Sequence, residues 1–379
     1  VSAGVEAGMI SGIGSGPVGV AIVGSGVISK DYLKNLTQCP DVVVVGVADL
    51  DVARAAGVAA EFGVPHAGDT ASILARDDVE IVVNLTIPAA HGEVARAALA
   101  AGKHVFGEKP LVTEVEDGEK LVAEAAEQGL RIGCAPDTVL GAGIQSAVRA
   151  VGSGVIGTPV AATTAMQTAG PDLWHPSPEF LFQRGAGPLF DMGPYYLTAL
   201  VSLFGSARRV AATARQARAE RVVATGPKAG TRFAVEVPTH VNALIEFTSG
   251  PSASSTFSFD TTARRMLVEI AGTEGTLSVP NPGSFDGALK VFEPGADEWR
   301  DLPVAGTTLG RGTGVVEMAR AIRAGRPHRA SGDLALHVLE MMTAMTSSAE
   351  SGEFVTLRSD VARPEPLSAD WDPREATLY

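Results

Sequence analysis

The feature that most constrains this chain is a change of hydrophobic period part-way along it. From Val18 a single unit repeats, a short β-branched run followed by a helical stretch. Segments 18–23, 42–48, 81–85, 104–106 and 131–134 read as strands too apolar to have a solvated face. Between them, 28–37, 52–62, 91–101 and 115–128 carry apolar residues at helical spacing. Strand and helix alternating over about 120 residues require crossovers. They predict a parallel sheet covered by helices on both faces, with ligands outside the carboxyl ends of the strands.

After about residue 155 the helices thin out and strands follow one another, at 160–167, 241–247, 254–259, 266–270 and 289–292. These predict a large, mostly antiparallel open sheet, with helices at 190–203, 314–324 and 333–348. The switch in period marks a domain boundary. The fold class is therefore α/β, with an α+β domain after it.

Composition narrows the partners. Thirty Lys plus Arg against 43 Asp plus Glu leave a formal charge of −13, which repels phosphate backbones and anionic lipid heads. No nucleic acid and no membrane partner is expected. The arginine-rich stretch Arg208, Arg209, Arg215, Arg218 and Arg221 lacks the aromatic platforms of a single-strand binder and reads as a solvated face. The two cysteines, Cys39 and Cys134, have no neighbours at metal-ligand spacing, so neither a disulfide framework nor a metal site is expected. The Gly- and Ser-rich N-terminus has no basic start and no sustained apolar stretch, so it reads as a disordered tail or non-native remnant, not a signal peptide. Apolar runs elsewhere fall short of the roughly 20 residues a bilayer crossing needs. The cytoplasm is the expected compartment.

The first strand ends in Gly24-Ser25-Gly26-Val27-Ile28-Ser29, a dinucleotide fingerprint with serine in the last small position. Gly24 permits the tight turn, Gly26 lets a pyrophosphate approach the backbone, and the helix opening at Val27 and Ile28 offers unpaired N–H groups. A second glycine cluster at 12–16 precedes the strand and lacks that context. Asp49, 25 positions after Gly24 and followed by Leu50, ends the second strand where a carboxylate accepts hydrogen bonds from ribose hydroxyls and repels a 2′-phosphate. NAD is favoured over NADP. Asp51 reads as the N-cap of the next helix.

At 102–110, Gly-Lys-His-Val-Phe-Gly-Glu-Lys-Pro, the sequence resembles the glucose-fructose oxidoreductase, inositol dehydrogenase and rhizopine-catabolism (Gfo/Idh/MocA) family. Thr86-Ile87-Pro88 with His91, and the run 187–195 in the second domain, agree with it. The resemblance implies a Rossmann NAD-binding domain over 17–138, after a tail at 1–16, and a substrate-binding and oligomerisation domain over 139–379. It places Thr86, Ile87, Pro88, His91, Glu108 and Lys109 at the cofactor, and implies a homodimer or homotetramer formed through the open sheet face.

Residue chemistry stands beside that resemblance. A Glu108-Lys109 pair ending a buried strand sits where an idle ion is costly. Lys109 could bind a substrate hydroxyl and, if burial depresses its pKa, shuttle the proton. Asp191 and Tyr195 stand four apart at a helix start and share one face. Many family members have His where Tyr195 stands, so whether Lys109, Tyr195 or His175 carries the proton is open at this point. Trp174 and His175, in a proline-rich loop, could contact a sugar ring, and Asp137 could hydrogen-bond substrate or cap a helix. The reading is an NAD-dependent dehydrogenase or ketoreductase acting on a secondary alcohol or ketone of a sugar, sugar derivative or cyclitol. Its alternatives are an NAD-retaining epimerase, eliminase or glycosidase with transient oxidation, and a non-catalytic sugar sensor.

Overall fold

A computed structural model describes residues 14–379. The tail expected over 1–16 thus lies outside the described residues except for its last three. The first lobe comprises β1 (Val18–Val23), α1 (Val27–Leu36), β2 (Val42–Ala48), α2 (Val52–Phe62), β3 (His66–Gly68), α3 (Thr70–Leu74), β4 (Ile81–Asn84), α4 (His91–Ala100), β5 (His104–Gly107), α5 (Val115–Glu127) and β6 (Ile132–Cys134). The strands form one parallel sheet in the order β3-β2-β1-β4-β5-β6. Every residue of β1 is buried, as a central strand covered on both faces requires. The order reverses between β1 and β4, which opens a crevice at their carboxyl ends. Asp51 caps α2 by accepting from the Arg54 N–H at 3.1 Å, and Gly63 closes that helix in the left-handed region.

The second lobe comprises α6 (Ala142–Gly152), β7 (Pro159–Gln167), α7 (Gly187–Phe204), β8 (Ala207–Arg215), β9 (Glu220–Val222), β10 (Arg232–Ala234), β11 (His240–Phe247), β12 (Ser252–Ser258), β13 (Arg265–Gly272), β14 (Thr276–Ser278), β15 (Leu289–Phe292), β16 (Arg300–Leu302), α8 (Thr313–Arg323), α9 (Gly332–Ser351) and β17 (Val355–Thr356). Nine strands form a sheet ordered β16-β15-β14-β13-β7-β12-β11-β8-β17, antiparallel except for the β7–β12 pair. Its inner face, with Ala243, Ile245, Phe257 and Ile270 buried, packs on α7 and α9. The outer face exposes Thr163, Asn242, Leu244, Ser252 and Ser254. It is mostly small and hydroxylic, less apolar than an uncovered sheet would suggest.

Helix α8 belongs to the second lobe but is tied to the first. Arg320 donates to the buried Asp41 carboxylate at 2.6 Å, and Arg323 to Glu80 at 2.6 Å. The C-terminal segment returns to the same place, where the Thr377 and Leu378 N–H groups donate to Asp41 Oδ1 at 2.8 and 2.9 Å.

In the second lobe α6, β8 and the short β9, β10, β14, β16 and β17, and in the first the small β3 and α3, are additions to what the sequence predicts. The arginine stretch needs a correction. Arg208 is exposed and pairs with Glu246, but the Arg221 side chain is only 1% exposed. It donates to Asp172 at 2.6 Å and Asp260 at 2.5 Å, pinning the 170–175 loop to the strand that ends at Ser258. It is a buried ion-pair hub, not a solvated face.

Candidate active site

The carboxyl edge of the parallel sheet is shaped for a dinucleotide. Gly24 has φ of 100°, and a Cβ there would lie 2.7 Å from the Leu85 backbone, so only glycine lets β1 turn beside β4. A Cβ on Gly26 would meet no protein atom within 4 Å, which leaves the front of the α1 N-terminus open to a phosphate group. Val27, Leu50 and Ile87, one after each of β1, β2 and β4, are 91%, 100% and 70% exposed. Large apolar side chains lifted out at three strand ends fit a ligand that covers them. Ile28 is partly buried behind Val27, and Pro88 is exposed beside Ile87. These features suit NAD as the bound group.

Asp49 is more engaged than its position alone suggests. Its Oδ2 accepts from the Ser25 N–H and hydroxyl, both at 2.7 Å, and its Oδ1 from the Asp51 N–H at 2.9 Å and Arg54 Nη2 at 2.5 Å. Burial opposes ionisation, but the Ser25 hydroxyl, the Asp51 N–H and Arg54 outweigh it and hold the carboxyl well below the ordinary range. A ribose hydroxyl must share these oxygens or displace Arg54, whose side chain is 52% exposed. Arg54 was not singled out from sequence.

At the end of β5 the two lobes meet through Lys109. Its ammonium, 18% exposed, donates to Asp191 Oδ1 at 2.9 Å and to the Asp191 carbonyl at 2.8 Å. Pro194, inside α7, has no N–H to close on the Phe190 carbonyl, which stands one residue before the Asp191 carbonyl that takes Lys109. The Tyr195 ring centroid lies 5.5 Å from the ammonium. The expectation that burial depresses the Lys109 pKa is not met. Burial does push it down, but Asp191, Tyr195 and Glu108 together outweigh that and raise it above the ordinary lysine value. Lys109 is a held cation and a donor, not a free base.

Arg311, which sequence reasoning missed, completes this cluster. Its guanidinium donates to Glu108 Oε1 at 2.9 Å and to the Tyr195 hydroxyl at 3.2 Å. The Tyr32 hydroxyl donates to the same Glu108 oxygen at 3.0 Å, and the Lys109 N–H to Glu108 Oε2 at 3.1 Å. A lone arginine between Gly310 and Gly312, just ahead of a helix, was the available signal.

Two further residues are corrected. Asp137 has no exposure to solvent, and its Oδ2 accepts from the Gly312 and Gly314 N–H groups at 2.8 and 3.0 Å. It caps α8 and does not reach a substrate. His91 is buried, with its ring nitrogens 2.6 Å from the Pro110 carbonyl and 3.1 Å from the Thr86 carbonyl. It braces the loops after β4 and β5 against each other, and Thr86 in turn donates to Asn84 at 2.6 Å. Trp174 is 67% exposed and stacks edge-on with His175, which stacks on Phe180. His175 Nδ1 accepts from the Ser177 N–H at 3.0 Å, and no hydrogen bond joins it to Lys109, Asp191 or Tyr195. Among the described residues, no group of three His, Cys, Asp or Glu is placed to hold a metal, and no helix is long and apolar enough to cross a membrane.

Residues 18–135 match the oxidoreductase family described as an NAD-binding Rossmann fold, and 144–278 match the Gfo/Idh/MocA C-terminal domain. The chain belongs to the Gfo/Idh/MocA family. A dTDP-3,4-didehydro-2,6-dideoxy-α-D-glucose 3-reductase of Streptomyces antibioticus is 30% identical over 62% of the chain and 70% of its own length. Inositol 2-dehydrogenase 3 of Saccharopolyspora erythraea is 37% identical, over 30% of this chain and 34% of that one. The chain thus spans about a third of the length of that second relative. An NAD-binding oxidoreductase structure from Klebsiella pneumoniae superposes with a TM-score of 0.80 at 23% identity, covering 91% of this chain and 100% of that one. That likeness shows the same two-lobed fold.

Proposed function

We propose that the protein is an NAD-dependent dehydrogenase or ketoreductase that interconverts a secondary alcohol and a ketone on a sugar, sugar derivative or cyclitol. The observation that carries this reading is the Lys109 ammonium held 2.9 Å from Asp191 across the two lobes, at the strand edge where the nucleotide would lie. Bound NAD supplies the hydride chemistry. The protein's part is placement and charge. Two of the three Lys109 N–H groups go to Asp191, and the third is free to donate to the substrate oxygen. Because Asp191 holds Lys109 charged, the ammonium stabilises an alkoxide on that oxygen in either direction. Tyr195, on the same helix face as Asp191, supplies or takes the proton. The cyclitol and deoxysugar named for the two relatives support the substrate class.

A homodimer or homotetramer formed through the outer face of the nine-stranded sheet, and a cytoplasmic location, complete the reading. The two buried free cysteines accord with a reducing compartment. The test is a panel of sugars, polyols and cyclitols offered with NAD and with NADP, read by cofactor absorbance and product analysis. Lys109→Ala is expected to lower kcat by at least about a hundredfold, within the range for a lost acid–base or oxyanion donor, while NAD binding persists. Unchanged kcat would reject the assignment.

A further inference from the structure

We propose that Arg311 is a positioning residue for Tyr195: it aims the phenolic O–H into the cleft and faces the phenolate left when the proton is given up. This rests on the dehydrogenase reading above and adds to it a residue from the loop just before α8.

The anchoring of Arg311 is elaborate for a side chain with no task. Gly310 and Gly312 have φ of 113° and 97°, so the loop takes a path that only glycine follows easily. Asp137 fixes the loop through the Gly312 and Gly314 N–H groups, and Asn35 donates to the Arg311 carbonyl at 2.8 Å. Glu108, itself held by Tyr32, takes one arm of the guanidinium and leaves the other on Tyr195 at 3.2 Å.

An arginine can only donate. Its N–H occupies one lone pair of the Tyr195 oxygen, so the phenolic hydrogen turns away from the guanidinium and is available to a second partner. In ketone reduction the Tyr195 O–H bond breaks as a new O–H bond forms on the substrate oxygen, and the electron pair stays on the phenolic oxygen. Solvent returns the proton before the next turnover, and in alcohol oxidation the transfer runs the other way. The charged groups around that oxygen are Arg311 and Lys109, with Glu108 and Asp191 as their partners. Asp137 and Tyr32 face Arg311 from the first lobe and the turn after β6.

The test needs no substrate. In a crystal structure of Arg311→Met we expect the Tyr195 hydroxyl to leave the position it holds 3.2 Å from the guanidinium in wild type. A Tyr195 hydroxyl that stays in place without that donor would overturn the proposal, whether or not a sugar substrate is found. With an active substrate, Arg311→Met should lower kcat about tenfold or more and leave the NAD KM unchanged. The double variant Arg311→Met/Tyr195→Phe should be no slower than Tyr195→Phe alone, and an additive loss would count against the proposal. If Arg311→Met does not fold, Arg311→Lys carries the same comparison. It keeps the charge but cannot bridge Glu108 and Tyr195, so a wild-type kcat with the Tyr195 hydroxyl unmoved would overturn the idea.

Discussion

At the scale of single side chains, the expected preference for NAD over NADP turns on Asp49 and its partner Arg54. Asp49 and Arg54 neutralise each other where a ribose 2′ position would lie, so the repulsion that Asp49 exerts on a 2′-phosphate depends on which partner a ligand displaces. Asp49→Ala removes the negative charge and frees a half-exposed guanidinium. The expected result is a shift of the NADP-to-NAD ratio of kcat/KM by tenfold or more toward NADP, and steady-state kinetics with both cofactors measure it. An unchanged ratio would mean that neither side chain reaches the ribose. Lys109, Asp191 and Tyr195 were legible because each sits in a short run of unusual residues. Arg311 was not, because it meets Tyr195 from 116 positions away, and Arg54 was not, because an arginine on an exposed helix face looks like ordinary surface.

Among elements, α8 depends on a carboxylate in an uncomfortable place. Burial pushes Asp137 up to about 6, with the Gly314 and Gly312 N–H groups and Arg311 only partly offsetting it. A raised carboxyl takes up its proton in the folded state first, so the fold is favoured below about pH 4 and loses that advantage as the pH rises to about 6. The effect is worth ~3 kcal/mol by linkage. Asp137→Asn keeps an acceptor for the two N–H groups and removes the charge. Urea unfolding across that range should then show a flatter pH dependence than wild type, and an unchanged slope would refute the assignment. The strand and helix periods of the first lobe were legible because both faces of its sheet are covered. Strand β8 was not, because its pattern loses alternation once α9 no longer covers it. Helix α6 carries an apolar stripe at Ile144, Ala147, Val148 and Val151, but the glycines at 141, 143, 152, 154 and 157 break up the segment in the sequence and read as a loop.

At the scale of the whole molecule, α8 fastens the lobes at two levels. Asp41 and Glu80 precede β2 and β4 at the amino edge of the parallel sheet, where they take Arg320 and Arg323. Glu108 and Lys109 follow β5 at the carboxyl edge, where they take Arg311 and Asp191. Burial opposes the Asp41 charge, but hydrogen bonds from Thr377, Leu378 and Arg320 outweigh it and lower its pKa. The stability it lends is full above the ordinary aspartate range and is lost as the pH falls through the lowered value. Asp41→Ala strands the Arg320 guanidinium, 9% exposed, and should cost about 3 kcal/mol. Thermal and urea unfolding at neutral pH measure it, and the difference from wild type should shrink in acid. The sequence made the two-domain division visible through its change of period, but these ties join residues up to 337 positions apart and no local pattern announces them. Pinned at both rims, the halves can hinge open only by parting these ion pairs, so a screw-like or shearing slip of one half over the other would need the fewest of them to break.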